Sequence, residues 1–159
     1  MANHSDVCPD AAPPLEATVA AHHDYVWARL PYLVPMAAKV ARHCRQGGDA
    51  CAALAALVAD LRSILLDHLD DEERILATLE READADFVAE RIAALHTEHL
   101  VVGTLLERIR AAAVIEPHVE GAACAAERAL YRELALLDDH VRSQIVLEER
   151  LLAARFALA

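Results

Sequence analysis

Apolar residues recur in alternating steps of four and three along four long stretches of this 159-residue chain. The first stripe runs through Val19, His23, Val26, Leu30, Leu33, Ala37, Val40 and Cys44, the second through Leu54, Val58, Leu61, Leu65, His68, Glu72, Ile75 and Leu79. The third is Val88, Ile92, Leu95, His99, Val102, Leu106 and Ile109, and the last is Leu130, Leu134, Leu137, Val141, Gln144, Glu148 and Leu151. This spacing keeps one face of a helix apolar and turns it toward a common core. It predicts helices over about 15–45, 50–82, 85–115 and 117–156. Gly47-Gly48 ends the first, Asp49 and Asp84 are N-cap residues for the next two, and Pro117 suits the first turn of the fourth. Pro31 and Pro35 each remove a backbone donor, so a kink is expected in the first helix. Short connections make successive helices antiparallel neighbours. The expected fold is an all-α, up-down-up-down four-helix bundle over residues 15–159, behind a disordered tail at 1–14.

Composition agrees with that architecture: four Gly, and Ala, Leu, Glu and Arg in abundance. The net charge of −11 argues against nucleic acid or an anionic membrane surface as partner. No apolar run approaches the roughly 18–20 residues of a membrane span. Met1 to Asp10 has no basic segment followed by an apolar one, so no secretory signal is expected. Cys8, Cys44, Cys51 and Cys124 form no CxxC or zinc-ribbon spacing and read as reduced thiols, which suits a cytoplasmic protein.

The chemistry lies in the stripes themselves. His23, His68, Glu72, His99 and Glu148 occupy positions that should face the core. A buried carboxylate costs several kcal/mol unless it is paired or binds a cation. Counted from the helix ends and converted at about 1.5 Å per residue, these residues and Gln144 fall within one layer roughly 10 Å thick. His68 and Glu72, at i and i+4, share one helix face. Two carboxylates able to bridge, flanked by imidazoles, suit a pair of iron ions, with zinc or a single ion as the alternative. Cys44 and His43 are excluded, since Cys44 sits about 31 Å along the helix from His23. His22, His96 and His140 fall one position off their stripes. Of these, His140 lies a turn before Gln144 and has three readings: ligand, support for a ligand, or exposed side chain. His4 and His118 read as exposed. Leu66-Asp67-His68 leads to Glu72-Glu73-Arg74-Ile75-Leu76-Ala77, and Glu148-Glu149-Arg150-Leu151-Leu152-Ala153 echoes that run in the fourth helix.

With these residues in view, the chain resembles the hemerythrin-like (HHE cation-binding) domains, and most closely the repair-of-iron-centres family of di-iron proteins. The resemblance spans about 19–155. It is carried by His22-His23-Asp24-Tyr25, Leu30-Pro31, Lys39-Val40, His68 with Glu72-Glu73, Glu98-His99, Ala123-Cys124 with Tyr131, and Leu147-Glu148. It implies iron ligands at His23, His68, Glu72, His99, Gln144 and Glu148, with Glu72 and Glu148 as bridges. The chain departs from the pattern at Gln144 and at Cys44, where histidines are usual, and at Ala77 and Ala153, where an aromatic-proline ending is usual. The resemblance thus implies a non-haem di-iron protein that binds or reduces O₂, NO or peroxide in oxidative or nitrosative stress or iron-sulfur repair. A redox partner is left unspecified. Two other readings stay open: a reversible O₂- or metal-binding sensor without turnover, and a degenerate structural bundle with one ion or none.

Overall fold

The computed structural model describes residues 15–43, 48–79, 81, 84–114 and 125–156. Four helices follow one another: α1 Leu15–His43, α2 Gly48–Leu79, α3 Ala85–Val114 and α4 Ala125–Phe156. The expected tail at 1–14, Cys44, and Pro117 with the expected first turns of the fourth helix lie outside the described residues. Each helix packs on its two neighbours in the cycle α1–α2–α3–α4–α1. Paired side chains show that α4 runs antiparallel to both its neighbours: Arg155 bonds Glu16 and Arg29 bonds Glu133 across α1/α4, while His99 meets Glu149 and Arg110 meets Asp138 across α3/α4. The four-helix bundle expected from the heptads is the fold observed. No helix among the described residues is long and apolar enough to cross a membrane.

Local chemistry explains the helix boundaries. The Asp84 carboxylate accepts the backbone N–H groups of Asp86 (2.9 Å) and Phe87 (3.2 Å), capping α3 as expected. Asp49 differs: it lies inside the first turn of α2, after Gly48, where its charge still faces the positive end of the helix dipole. Helix α1 is continuous through Pro31 and Pro35. Both are exposed, so the carbonyls left without a donor are on the solvent side, where water can serve them.

The core falls into two clusters. The larger joins Val26, Leu30, Leu33, Leu54, Leu61, Leu65, Leu106 and Leu137 with their neighbours. The smaller joins Leu15, Val19, Leu79, Val88, Leu95 and Leu152. Each fully buried leucine contributes about 2 kcal/mol of apolar transfer. Between the clusters, the stripes continue through polar residues: His23, His68, Glu72, His99 and Glu148 are all buried. The bundle therefore holds a polar floor across a largely apolar interior.

Candidate metal centre

Each helix delivers polar groups to this floor. Helix α1 brings His23, whose ring donates from Nε2 to Glu72 Oε2 (3.2 Å) and from Nδ1 to Glu73 Oε1 (2.8 Å). Helix α2 brings His68 and Glu72 one turn apart. Helix α3 brings His99, whose ring centre lies 5.0 Å from that of His68. Helix α4 brings Glu148, with Oε2 3.7 Å from His99 Nε2, and Gln144 one turn earlier. Of the residues expected at one depth, His23, His68, Glu72, His99 and Glu148 are neighbours there.

What these groups lack is as informative as what they touch. Both carboxylate oxygens of Glu148, Nε2 of His99, Oε1 of Gln144, Nε2 of His140 and Nδ1 of His22 are buried without a hydrogen-bond partner. A buried polar atom left bare costs about 1–3 kcal/mol, and more if charged. Several of them in one layer point to something that completes them. Imidazole nitrogen with carboxylate and amide oxygen is a donor set for a borderline divalent ion such as iron or zinc. The donor chemistry thus fits a cation. Among the described residues, no three His, Cys, Asp or Glu side chains yet surround one point closely enough to hold it. The direct His23–Glu72 bond accounts for part of this: two donors satisfy each other, and that contact must open for an ion to enter.

Sequence reasoning did not find the outer carboxylates. Glu73 holds His23 Nδ1, Glu98 holds His68 Nδ1 (2.8 Å), and Glu149 holds His99 Nδ1 (3.3 Å). Glu73 is exposed and the other two half-buried, and all three sit beside a stripe rather than on it. Each bond fixes a ring so that Nε2 turns inward, the arrangement by which carboxylates orient metal-binding histidines. The signal was present as adjacency: Glu73 follows Glu72, Glu149 follows Glu148, and Glu98 precedes His99. The exposed His96 also reaches Glu149 (3.0 Å), on the outside of the bundle. His43 is exposed near the end of α1, as expected.

His22 is the second omission. One position off the heptad stripe, it is nonetheless 1% exposed. The early turns of α1 bury two adjacent positions each, Thr18-Val19 and His22-His23, because this end of the helix faces both α2 and α4. The ring of His22 stacks on that of His140 (centres 5.4 Å, planes 17° apart), and His140 stacks in turn on Tyr25 (3.6 Å). His140 is half-buried rather than exposed.

Electrostatics differ along the floor. Burial, then the neighbouring imidazoles of His140, His23, His68 and His99, lower the His22 pKa to about 3. Burial lowers that of His99, helped by His68 and opposed by Glu149 and Glu72. Burial lowers that of His140. Burial also works against the His23 cation, but bonds to Glu72 and Glu73 outweigh it and raise the pKa. Glu148 is pushed up to about 8, by burial first and then by the charge of Glu72. A buried carboxyl held this far from its ordinary range makes Glu148 a candidate site residue.

A groove of about 500 Å³ between α3 and α4, lined by Ile92, Leu95, His96, His99 and Glu149, opens onto this floor. Comparison with curated proteins gave no match. Residues 15–156 match the hemerythrin HHE cation binding domain, nearly the full length of the chain. A four-helix bundle with a buried, incompletely satisfied layer of histidines and carboxylates accords with that match, and the chain belongs to the hemerythrin HHE cation-binding family.

Proposed function

We propose that this protein is a non-haem di-iron protein that binds or reduces a small oxidant: O₂, NO or peroxide. The observation that carries the reading is Glu148, wholly buried with both oxygens bare and facing the unpartnered Nε2 of His99. In this reading His23, His68 and His99 would supply imidazole nitrogen, Glu72 and Glu148 carboxylate oxygen, and Gln144 a weaker amide oxygen. Iron, when bound, supplies the electrons and the open position that a small oxidant requires. The chain's own residues do the rest. Glu73, Glu98 and Glu149 hold the imidazoles in orientation. Leu95 and Leu152, on one side of the floor, and Val26 and Leu65, on the other, exclude water. The α3/α4 groove is wide enough for a diatomic ligand to approach His99.

The setting we favour is oxidative or nitrosative stress, including repair of iron-sulfur centres. The test is anaerobic loading with Fe²⁺, followed by elemental analysis and visible spectra after exposure to O₂. About two irons per chain with an oxo-bridge absorption supports the reading; absence of iron uptake overturns it. Turnover of NO or peroxide then separates an enzyme from a reversible carrier. A second reading, a bundle with one structural ion, draws on the direct His23–Glu72 contact, which occupies two of the donors. It requires one ion per chain and no reaction with oxidant.

A further inference from the structure

We propose that His22 and His140, joined by the amide oxygen of Gln144, hold one of the centre's two cations on the α1/α4 side, opposite the His68–His99 pair. This rests on the reading of the buried floor as a two-cation centre. It assigns a role to His22, which no stripe predicted, and takes His140 out of the supporting cast.

Placement is the first argument. His140, Gln144 and Glu148 form a line at i, i+4 and i+8 along one face of α4. Each ends in a buried atom without a partner: Nε2, Oε1, and both carboxylate oxygens. His22 meets this line from α1, fully buried, with its Nδ1 also bare. On the opposite side, His68 and His99 form a second pair from α2 and α3, with Glu72 on the same face of α2 as His68.

Spacing is the second argument. Two imidazoles bound to one tetrahedral ion at about 2.1 Å hold their ring centres roughly 5 Å apart. The His22–His140 centres are 5.4 Å apart and the His68–His99 centres 5.0 Å. Both pairs are close to that separation, but the near-parallel planes of His22 and His140 (17°) must tilt before their in-plane nitrogens can aim at one ion. Stacking alone does not explain the α1/α4 pair. Contact between ring faces, including that of Tyr25 on His140, satisfies the π surfaces and leaves the in-plane nitrogens bare. Tyr25 itself is not a donor here, because its hydroxyl turns away to the Leu136 carbonyl (3.4 Å).

The chemical class follows from the donors. Two imidazoles, one amide oxygen and a shared Glu148 oxygen make a nitrogen-rich set that favours Fe²⁺, Co²⁺ or Zn²⁺ over Mg²⁺ or Ca²⁺. The centre is therefore asymmetric, and the α1/α4 position binds more weakly because an amide replaces a stronger donor.

The experiment is anaerobic titration of the full chain with Co²⁺, followed through its visible bands, with elemental analysis of the Fe²⁺-loaded protein. The wild type should take up about two ions in two steps. His140→Leu and His22→Leu should each lose the weaker step, by at least about 10-fold in affinity, and retain the stronger. Adding Gln144→His to His140→Leu should restore the second ion, which a purely structural role for His140 does not predict. Should His22→Leu fail to fold, His140→Leu and its Gln144→His rescue decide alone. Two ions bound with unchanged affinity in His140→Leu overturn the division while leaving the centre in place. A wild-type chain that binds one ion overturns it as well; one that binds none overturns the reading of the floor with it.

Discussion

Helix α4 carries two buried carboxylates ten residues apart, and they are treated in opposite ways. Asp138 accepts Arg142 Nε at Oδ1 (2.6 Å) and Arg110 at Oδ2, so its charge is neutralised from α3 and from its own helix. Glu148 is more deeply buried and accepts nothing. Asp138 is a clamp: it ties α3 to α4 where the bundle needs it, and Arg142 extends the tie to the Gly103 carbonyl (3.3 Å). Glu148 is a liability to the metal-free fold. In the reading proposed above, a bound cation would complete it. Burial alone does not separate the two residues; the presence or absence of a partner does.

The contrast can be broken most strongly at the bare carboxylate. Glu148→Gln should lower cation affinity by at least about 100-fold, since in the proposed centre a charged ligand becomes a neutral amide. Asp138→Asn should leave cation stoichiometry unchanged in the same elemental analysis. Equal losses in both variants would mean that Glu148 is no more a ligand than Asp138.

Stability of the chelated protein should rank the two residues in reverse. Asp138→Leu should cost about 2 kcal/mol in denaturant unfolding, below the full penalty for a broken buried pair because Arg110 is more than half exposed. Glu148→Leu should stabilise the metal-free protein by about 1–2 kcal/mol, the trade-off expected where a residue serves function rather than folding. Destabilisation in Glu148→Leu would count against the site.

The pH response sharpens the point. The folded chain keeps a proton on Glu148 up to about pH 8, whereas the unfolded carboxyl releases it near 4.5, so this residue destabilises the fold progressively as pH rises between those values. His22 acts on the other flank: its folded pKa of about 3 lies below 6.5, so stability falls as pH drops from 6.5 toward 3. Above 6.5 His22 is silent. The raised pKa of His23 adds to the effect of Glu148, because stability from its proton is lost as pH rises. Metal-free protein should therefore lose on the order of 2 kcal/mol between pH 6.5 and 8. Thermal melts should show a smaller slope in Glu148→Gln and in cation-loaded protein. Identical slopes in all three would remove Glu148 as the cause.

The smallest effect is expected at the outer ring. Glu98→Gln should weaken cation binding about 10-fold through the loss of orientation at His68, without changing the number of ions bound. An unchanged affinity would make the Glu98–His68 bond a surface contact and no more.

Much of the architecture was legible from periodicity. Four stripes place Leu30, Leu61, Leu95, Leu106 and Leu137 inside, and all five are buried. The depth argument brought His23, His68, Glu72, His99 and Glu148 to one level because rise per residue is a fixed property of a helix. Its failures have one physical origin. A heptad describes a seam between two surfaces, whereas each helix of this bundle touches two neighbours, so the buried face near the floor is wider than the stripe. His22 lies in the part of α1 that the seam omits, and Glu73, Glu98 and Glu149 lie at the rims, where a partly exposed carboxylate looks like any solvated one.

By itself, then, the order of residues determined that four amphipathic helices form, that they alternate in direction, and that ionisable groups share a level. Those properties follow from helix geometry and short connections. Only the packed structure decided which carboxylate acquires arginines and which stays bare, which nitrogens turn inward, and that His22 faces His140 across α1 and α4. Partnership is a matter of distance between side chains far apart in the chain, and no local pattern encodes it.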